Sequence, residues 1–256
     1  MRKGVVMRKI DWSKVSAVFF DLDGTIYQGN ERFADADKVV KKVRDMGKKV
    51  YFVTNNSASA REQICEKLRK MNISCEVNEI YSSGHITAFY VSSQGYQTAY
   101  IMGTDALRQE FASQGVHHSE SAEIVVVGYD KDFDSKKLTD ALQTALRAKT
   151  IIACNRDSNY PVENGIRMPG CGAMVGALEG SLGRKVDFMI GKPSLMMTDM
   201  LCESQRILPE EVLVVGDTYE TDMKMVEQYG SQGVYIGKEK YSDCVTIGEI
   251  GELLKL

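Results

Sequence analysis

Three short apolar runs constrain this chain more than any other feature, because each runs directly into a polar segment at its carboxyl end. Ala17-Val18-Phe19-Phe20 leads into Asp21-Leu22-Asp23-Gly24-Thr25. Val50-Tyr51-Phe52-Val53 leads into Thr54-Asn55-Asn56-Ser57. Val212-Leu213-Val214-Val215 leads into Gly216-Asp217-Thr218-Tyr219-Glu220-Thr221-Asp222. Runs without polar alternation fit strands buried on both faces, as in parallel sheets covered by helices. In open parallel sheets, ligands bind beyond the carboxyl ends of the strands, where the strand order reverses. Three segments remote in sequence can therefore meet in one crevice.

The spacing between these runs fills in the architecture. A strand over 15–21 is followed by a helix over 35–46, with Val39, Val40, Val43 and Met46 on one face and Gly47 as its stop. A strand over 49–54 precedes a second helix, for which Ser59 and Glu62 form a capping box and Ile64, Leu68 and Met71 an apolar stripe. A short strand follows over 79–81. The last quarter repeats the alternation: a strand over 212–216, a helix over 222–229 stopped by Gly230, and a strand over 233–236. Strand and helix in alternation read as α/β with a parallel sheet.

Roughly 105 residues, 82–186, separate the two halves. Ordinary connections are about 4–6 residues long, so this piece must fold by itself. It offers strands over 98–102, 124–128 and 150–153 and helices over 105–113, 135–148 and 172–179. The expected organisation is a discontinuous core, 1–81 and 187–256, with an inserted α/β domain over 82–186.

Composition excludes several classes. Lys and Arg total 32 against 35 Asp and Glu, without the basic excess of a nucleic-acid binder. Residues 1–14 carry charges but no apolar stretch of signal-peptide length, and no run is long enough to span a membrane. The six cysteines form no C-x-x-C pair and are not spaced with His85, His117 and His118 as zinc ligands, so they read as small buried residues of a cytoplasmic protein. His117-His118 reads as an exposed turn, Lys136-Lys137 as a solvated helix face, and Met196, Met197 and Met200 as core.

The converging segments then pose an electrostatic problem. Asp21, Asp23, Asp217 and Asp222 would sit together, and two like charges about 4 Å apart repel by roughly 4 kcal/mol at an effective dielectric of 20. A cation must offset this. Carboxylate and carbonyl oxygens suit Mg²⁺, which keeps waters and takes one or two carboxylates plus substrate phosphate. Lys192, in Gly191-Lys192-Pro193-Ser194, is a second cation at a predicted strand end, with Pro193 suited to a first helical position. The remaining formal charge is cancelled if one carboxyl keeps its proton, ready to act as an acid. Asp21 and Asp23, two apart on an extended strand, face the same side. The Gly of Asp21-x-Asp23-Gly24 comes too early for an EF-hand loop.

In these residues the chain resembles the haloacid dehalogenase-like phosphohydrolases. Asp21-Leu22-Asp23-Gly24-Thr25 matches the first motif, Thr54 the second, Lys192 the third, and Asp217 with Asp222 the fourth. The large-cap branch, similar to para-nitrophenyl phosphatases and pyridoxal-phosphate phosphatases, is marked by Gly24-Thr25-Ile26-Tyr27-Gln28-Gly29, Asn55-Asn56, Val127-Gly128-Tyr129-Asp130, Asn155-Arg156-Asp157, Pro169-Gly170-Cys171-Gly172-Ala173 and Gly191-Lys192-Pro193-Ser194. The resemblance implies a Rossmann-like parallel-sheet core with an inserted α/β cap domain. It implies a Mg²⁺-dependent phosphatase of a small phosphorylated metabolite: a sugar phosphate, a nucleoside monophosphate or a phosphorylated cofactor.

By the same resemblance, Asp21 attacks phosphorus to form an aspartyl-phosphate, and Asp23 protonates the leaving group and later activates water. Thr54, the Asn55 N–H and Lys192 hold phosphoryl oxygens, with Asn56 beside them. The metal takes the carboxylates of Asp21 and Asp217 and the carbonyl of Asp23, while Asp222 acts on its water shell. A cap loop over 155–165, with Arg156, Asp157, Asn159, Tyr160 and Glu163, is expected to face the substrate. Arg156 and Asp157 read equally well as residues that hold the loop's shape. Tyr160 replaces the His usual in pyridoxal-phosphate phosphatases, which argues against that substrate. A phosphomutase or phosphotransferase sharing the intermediate, and a non-catalytic phosphate-binding module, are the rival readings. Homodimers occur in the family, but no interface is legible in the sequence.

Overall fold

A computed structural model describes residues 9–162 and 165–256. The chain divides into two compact units, one comprising Met1–Thr54, Cys65–Ile80 and Thr198–Leu256, the other Asn55–Ile64 and Tyr81–Met197. Glu163 and the first eight residues lie outside the described residues.

The first unit is built on a six-stranded sheet. Its order is Val245–Ile247, Gln232–Ile236, Val212–Gly216, Ala17–Phe20, Lys49–Thr54 and Ile80–Ser82. Ala17–Phe20 is central and pairs in parallel on both sides, Phe20 lying opposite Val215 on one neighbour and Phe52 on the other. All four of its residues are buried, which is why the run carries no polar alternation. The chain builds outward in one direction through Lys49–Thr54 and returns to build in the other through Val212–Gly216. The order therefore reverses beside the carboxyl end of Ala17–Phe20. The Ala36–Asp45 helix buries Val39, Val40 and Val43 as their spacing predicts, but Met46 lies beyond its end.

The second unit carries a five-stranded parallel sheet ordered Phe188–Met189, Thr150–Ala153, Ile124–Val127, Thr98–Met102 and His117–His118. Its core gathers Val125, Val127, Ile151, Val175 and Leu178 from these strands and the Cys171–Leu182 helix. This unit also takes in 55–64 and 187–197, which the sequence leaves with the core. Main-chain bonds bind those pieces to it: Gly191 N–H donates to Cys154 O at 2.8 Å and Gly84 N–H to Asn56 O at 3.4 Å.

Five local expectations are corrected. His117-His118 is an edge strand, because Thr98–Met102 offers it a partner and His118 Nδ1 accepts from Ile101 N–H at 3.0 Å. The helix Arg61–Lys70 is tied at its start by Gln63 Oε1, which accepts from Ala60 N–H at 3.1 Å, one residue on from the Ser59–Glu62 pair. Pro193 follows a cis peptide in a turn, and the next helix begins only at Leu195. The turn before the Lys224–Tyr229 helix is a wider π-turn over Tyr219–Met223, so Asp222 belongs to that turn. Lys137 is not simply solvated: its ammonium meets the buried Asp130 carboxylate at 2.6 Å. The helix Ser83–Ser93 and the hairpin of Asn159–Pro161 with Arg167–Pro169 are additions to the expected elements. All six cysteines are buried and free. Among the described residues, no helix is long and apolar enough to cross a membrane.

Candidate active site

In the first unit, three of the four expected aspartates converge. The strand Ala17–Phe20 delivers Asp21, whose N–H is held by Val215 O at 2.9 Å, and Val212–Gly216 delivers Asp217 beside it. The π-turn swings Asp222 back, and its Oδ2 accepts from Thr218 N–H at 3.2 Å. One oxygen each from Asp21, Asp217 and Asp222 lie within 4.8 Å of one another. Asp21 and Asp222 are buried, where like-charge repulsion is poorly screened.

Two glycines make this convergence sterically feasible. Gly24 has a φ of +96°, and a β-carbon built on it would overlap the Asp217 carboxylate. A β-carbon on Gly216 would overlap that of Asp222. Three hard carboxylate oxygens around one point fit a small divalent cation bound through oxygen.

The Asp23 carboxylate is not in this trio. The Asp23 backbone forms an isolated bridge with that of Tyr27, a fully buried residue. Burial first, then the Asp23 and Asp21 carboxylates, push the Tyr27 hydroxyl well above the ordinary tyrosine range. The Lys67 ammonium lies over the Tyr27 ring, 3.7 Å from its centroid. Thr54 is buried at the end of its strand, two positions past Phe52, the register partner of Phe20.

In the second unit, Asn55 and Lys192 are buried together. Asn55 Nδ2 donates to Lys192 O at 3.1 Å and to Asp157 Oδ1 at 3.0 Å, while its Oδ1 has no hydrogen-bond partner. Asn155 Nδ2 and Ser83 Oγ both donate to Asn55 O, at 2.6 and 2.7 Å. Asn56 Oδ1 accepts from the N–H groups of Ala58 and Ser59, so this side chain shapes its own turn.

The cap-loop residues have partners that sequence spacing does not disclose. Arg156 pairs with Glu179 on the Cys171–Leu182 helix, and Lys185 meets the same carboxylate at 2.9 Å. Burial alone would raise Glu179, but Lys185, the Val186 N–H and Arg156 together hold it below the usual carboxylate range. Tyr160 meets Tyr129 edge to face, with hydroxyls 3.1 Å apart. Arg184 pairs with Asp187 at 3.1 Å. Gly170 and Gly172 lie against the carbonyls of Asp157 and Arg156, where a β-carbon would collide, so the start of the Cys171–Leu182 helix is seated on the loop. Asn155 and Tyr27 carry no individual role in the sequence reading. Their only signal there is membership of longer motifs.

Comparison with known proteins agrees with this geometry. The model of the family described as haloacid dehalogenase-like hydrolase matches residues 18–117, and a related HAD-hydrolase-like model matches 189–248. The chain is 30% identical over 225 residues to the sugar-phosphatase AraL of Bacillus subtilis, covering 86% of this chain and 82% of that one. It is 31% identical over 223 residues to an acid sugar phosphatase of Staphylococcus aureus, covering 86% and 85%. Its fold matches the crystal structure of a 4-nitrophenylphosphatase from Thermotoga maritima with a TM-score of 0.88 at 27% identity, over 96% of this chain and 98% of that one.

Proposed function

The chain belongs to the haloacid dehalogenase-like hydrolases and is a phosphoric monoester hydrolase, and from that premise we propose a Mg²⁺-dependent phosphatase of small phosphorylated metabolites, with sugar phosphates as the first class to test. The observation that carries the reading is the carboxylate trio of Asp21, Asp217 and Asp222 within 4.8 Å at two adjacent strand ends. The sugar-phosphatase relatives support the substrate class. Enzyme kinship sets aside the non-catalytic phosphate-binding reading.

In the proposed reaction, Asp21 attacks phosphorus, the bond to the leaving oxygen breaks, and the Asp23 proton passes to that oxygen. Asp23, now a carboxylate, takes a proton from water. The resulting hydroxide attacks the phosphorus, releases phosphate and restores Asp21. Thr54, the Asn55 N–H and Lys192 are proposed to hold the phosphoryl oxygens, where charge builds up during transfer. The carboxylates of Asp21, Asp217 and Asp222, with the Asp23 carbonyl, would hold the Mg²⁺. When bound, the ion supplies positive charge against the phosphoryl oxygens and the aspartates. The hairpin carrying Tyr160 is proposed to select the substrate. A cytoplasmic setting and pairing of two copies belong to the proposal on the strength of the resemblance.

The test is kcat/KM over a panel of sugar phosphates, nucleoside monophosphates and phosphorylated cofactors, with and without Mg²⁺. The reading expects Mg²⁺-dependent release of phosphate with sugar phosphates preferred. Turnover that persists after chelation, or transfer to added acceptors that exceeds release to water, would overturn it, the latter in favour of a phosphotransferase.

A further inference from the structure

We infer that Asp157 is a positioning residue: through the Asn55 side chain it fixes the Asn55 main chain and Lys192, two of the groups read as holders of the phosphoryl oxygens. The inference rests on that reading of Asn55 and Lys192. It gives Asp157 a role that does not depend on which metabolite carries the phosphate.

Four residues of the second unit close on one another. Asn55 Nδ2 donates to Asp157 Oδ1 at 3.0 Å and to Lys192 O at 3.1 Å. Asp157 N–H donates to Asn155 Oδ1 at 3.1 Å, and Asn155 Nδ2 returns to Asn55 O at 2.6 Å. Asn55, Asp157 and Asn155 thus form a hydrogen-bonded ring, with Lys192 O as its branch. Both hydrogens of the Asn55 amide have acceptors, so the amide has one orientation. The bond to the carboxylate is charge-assisted and is the stronger of the two. Asn55 Oδ1 is buried without a partner against Gly191, where a β-carbon would lie 2.5 Å from it. An amide with one end orphaned keeps its place through the bonds at its other end.

Both phosphoryl-holding groups feel this ring. Asn155 and Ser83 grip Asn55 O while Asp157 grips the side chain. Held on two sides of its Cα, Asn55 keeps its N–H in one direction. Lys192 lies in a turn where Gly191 N–H donates to Cys154 O at 2.8 Å and Ser194 N–H to Gly191 O at 3.0 Å. The Asn55 amide adds the bond to the carbonyl of Lys192 itself. Phosphoryl transfer depends on close placement of such donors.

The phosphoryl group is common to every substrate. A residue that positions its holders affects all substrates alike, whereas a residue that touches the sugar affects sugar phosphates alone. The experiment compares Asp157→Ala with the wild type on para-nitrophenyl phosphate and on glycerol phosphate, at saturating Mg²⁺. Inhibition by inorganic phosphate and thermal unfolding are measured on both proteins. The expected result is a loss in kcat/KM of about 10-fold or more on both substrates, with phosphate inhibiting about 10-fold more weakly. Asp157→Asn keeps an oxygen for Asn55 Nδ2 and should restore both quantities to within about 3-fold of the wild type. A loss confined to glycerol phosphate, no loss at all, or unchanged phosphate inhibition overturns the inference. So does an Asp157→Asn variant as impaired as Asp157→Ala. Lys192→Met run in parallel separates the two levels. If it loses turnover and phosphate inhibition while Asp157→Ala keeps them, only the positioning role of Asp157 fails. If Lys192→Met keeps both, the reading of Lys192 fails and takes this inference with it. Should Asp157→Ala not fold, Asp157→Ser is the deciding variant. Its hydroxyl ends one bond short of the carboxylate oxygen, so the same uniform loss is expected, and an unequal or absent loss again overturns the inference.

Discussion

The carboxylate of Asp217 occupies the space that a side chain on Gly24 would need. These residues stand 193 positions apart, and their contact is what lets the second aspartate-bearing strand end approach the first. Gly24→Ala is therefore expected to act twice. At a φ of +96° a β-carbon is strained, by roughly 1–2 kcal/mol, and it displaces Asp217. Phosphatase activity is expected to fall at least about 100-fold, the scale of losing one well-placed electrostatic group. Thermal unfolding should drop only modestly. Near-wild-type turnover in this variant would refute the importance of the contact.

Asp21→Asn should behave unlike most substitutions of a buried residue. It removes the nucleophile, so phosphate release should vanish. It also relieves repulsion within the carboxylate trio, so the metal-free variant should unfold at a higher temperature than the metal-free wild type. Adding Mg²⁺ should stabilise the wild type, by about 2.7 kcal/mol at a hundred times Kd, and the variant less. Calorimetry with EDTA and with Mg²⁺ measures both. A lower metal-free Tm for Asp21→Asn would count against the trio as a site of repulsion.

Glu110 provides a pH-dependent test in the second unit. Its buried carboxylate accepts from Arg61 Nε at 3.2 Å and lies 2.7 Å from His85 Nδ1. Burial would raise its carboxyl, but His85 and Arg61 hold it below the ordinary glutamate value. A depressed folded pKa means that the stabilisation is present above the unfolded value and fades as pH falls through the folded one. Glu110→Gln is expected to cost about 1–3 kcal/mol at neutral pH. The gap from wild type should close below the ordinary glutamate value in urea titrations. A gap that widens in acid would contradict the assignment.

Tyr160→Ala tests the hairpin. The ring is half-buried and rests edge to face on Tyr129 with centroids 5.7 Å apart. The variant is expected to reorder the preference among sugar phosphates by about 10-fold, within the 1–3 kcal/mol that a pocket contact supplies. Turnover of para-nitrophenyl phosphate should change less. An unaltered ranking in kcat/KM would move specificity to other cap residues.

Much of this was legible because it is local. The continuous apolar run Ala17–Phe20 announces a strand buried on both faces, and the polar residues that end it announce the edge on which a ligand binds. The strands Thr98–Met102 and Thr150–Ala153 and the helix Asp105–Ser113 fall where their periodicity puts them. The helix Ser83–Ser93 does not announce itself, because Ser83, Gly84, Ile86, Thr87, Ala88 and Val91 are all buried and leave no single apolar stripe. His117-His118 is too short to carry a period and becomes a strand only because an edge awaits it.

The sequence alone determined the fold class, the order of the motifs and the aspartates that share a sheet edge, since periodicity and strand ends are encoded within a few residues. Tertiary structure decided the partners: Arg156 spends its charge on Glu179, Asn155 steadies the Asn55 carbonyl, and Lys67 covers the Tyr27 ring. A side chain bonds to whichever compatible group the folded backbone brings within about 3 Å. No spacing rule along the chain specifies that distance in space.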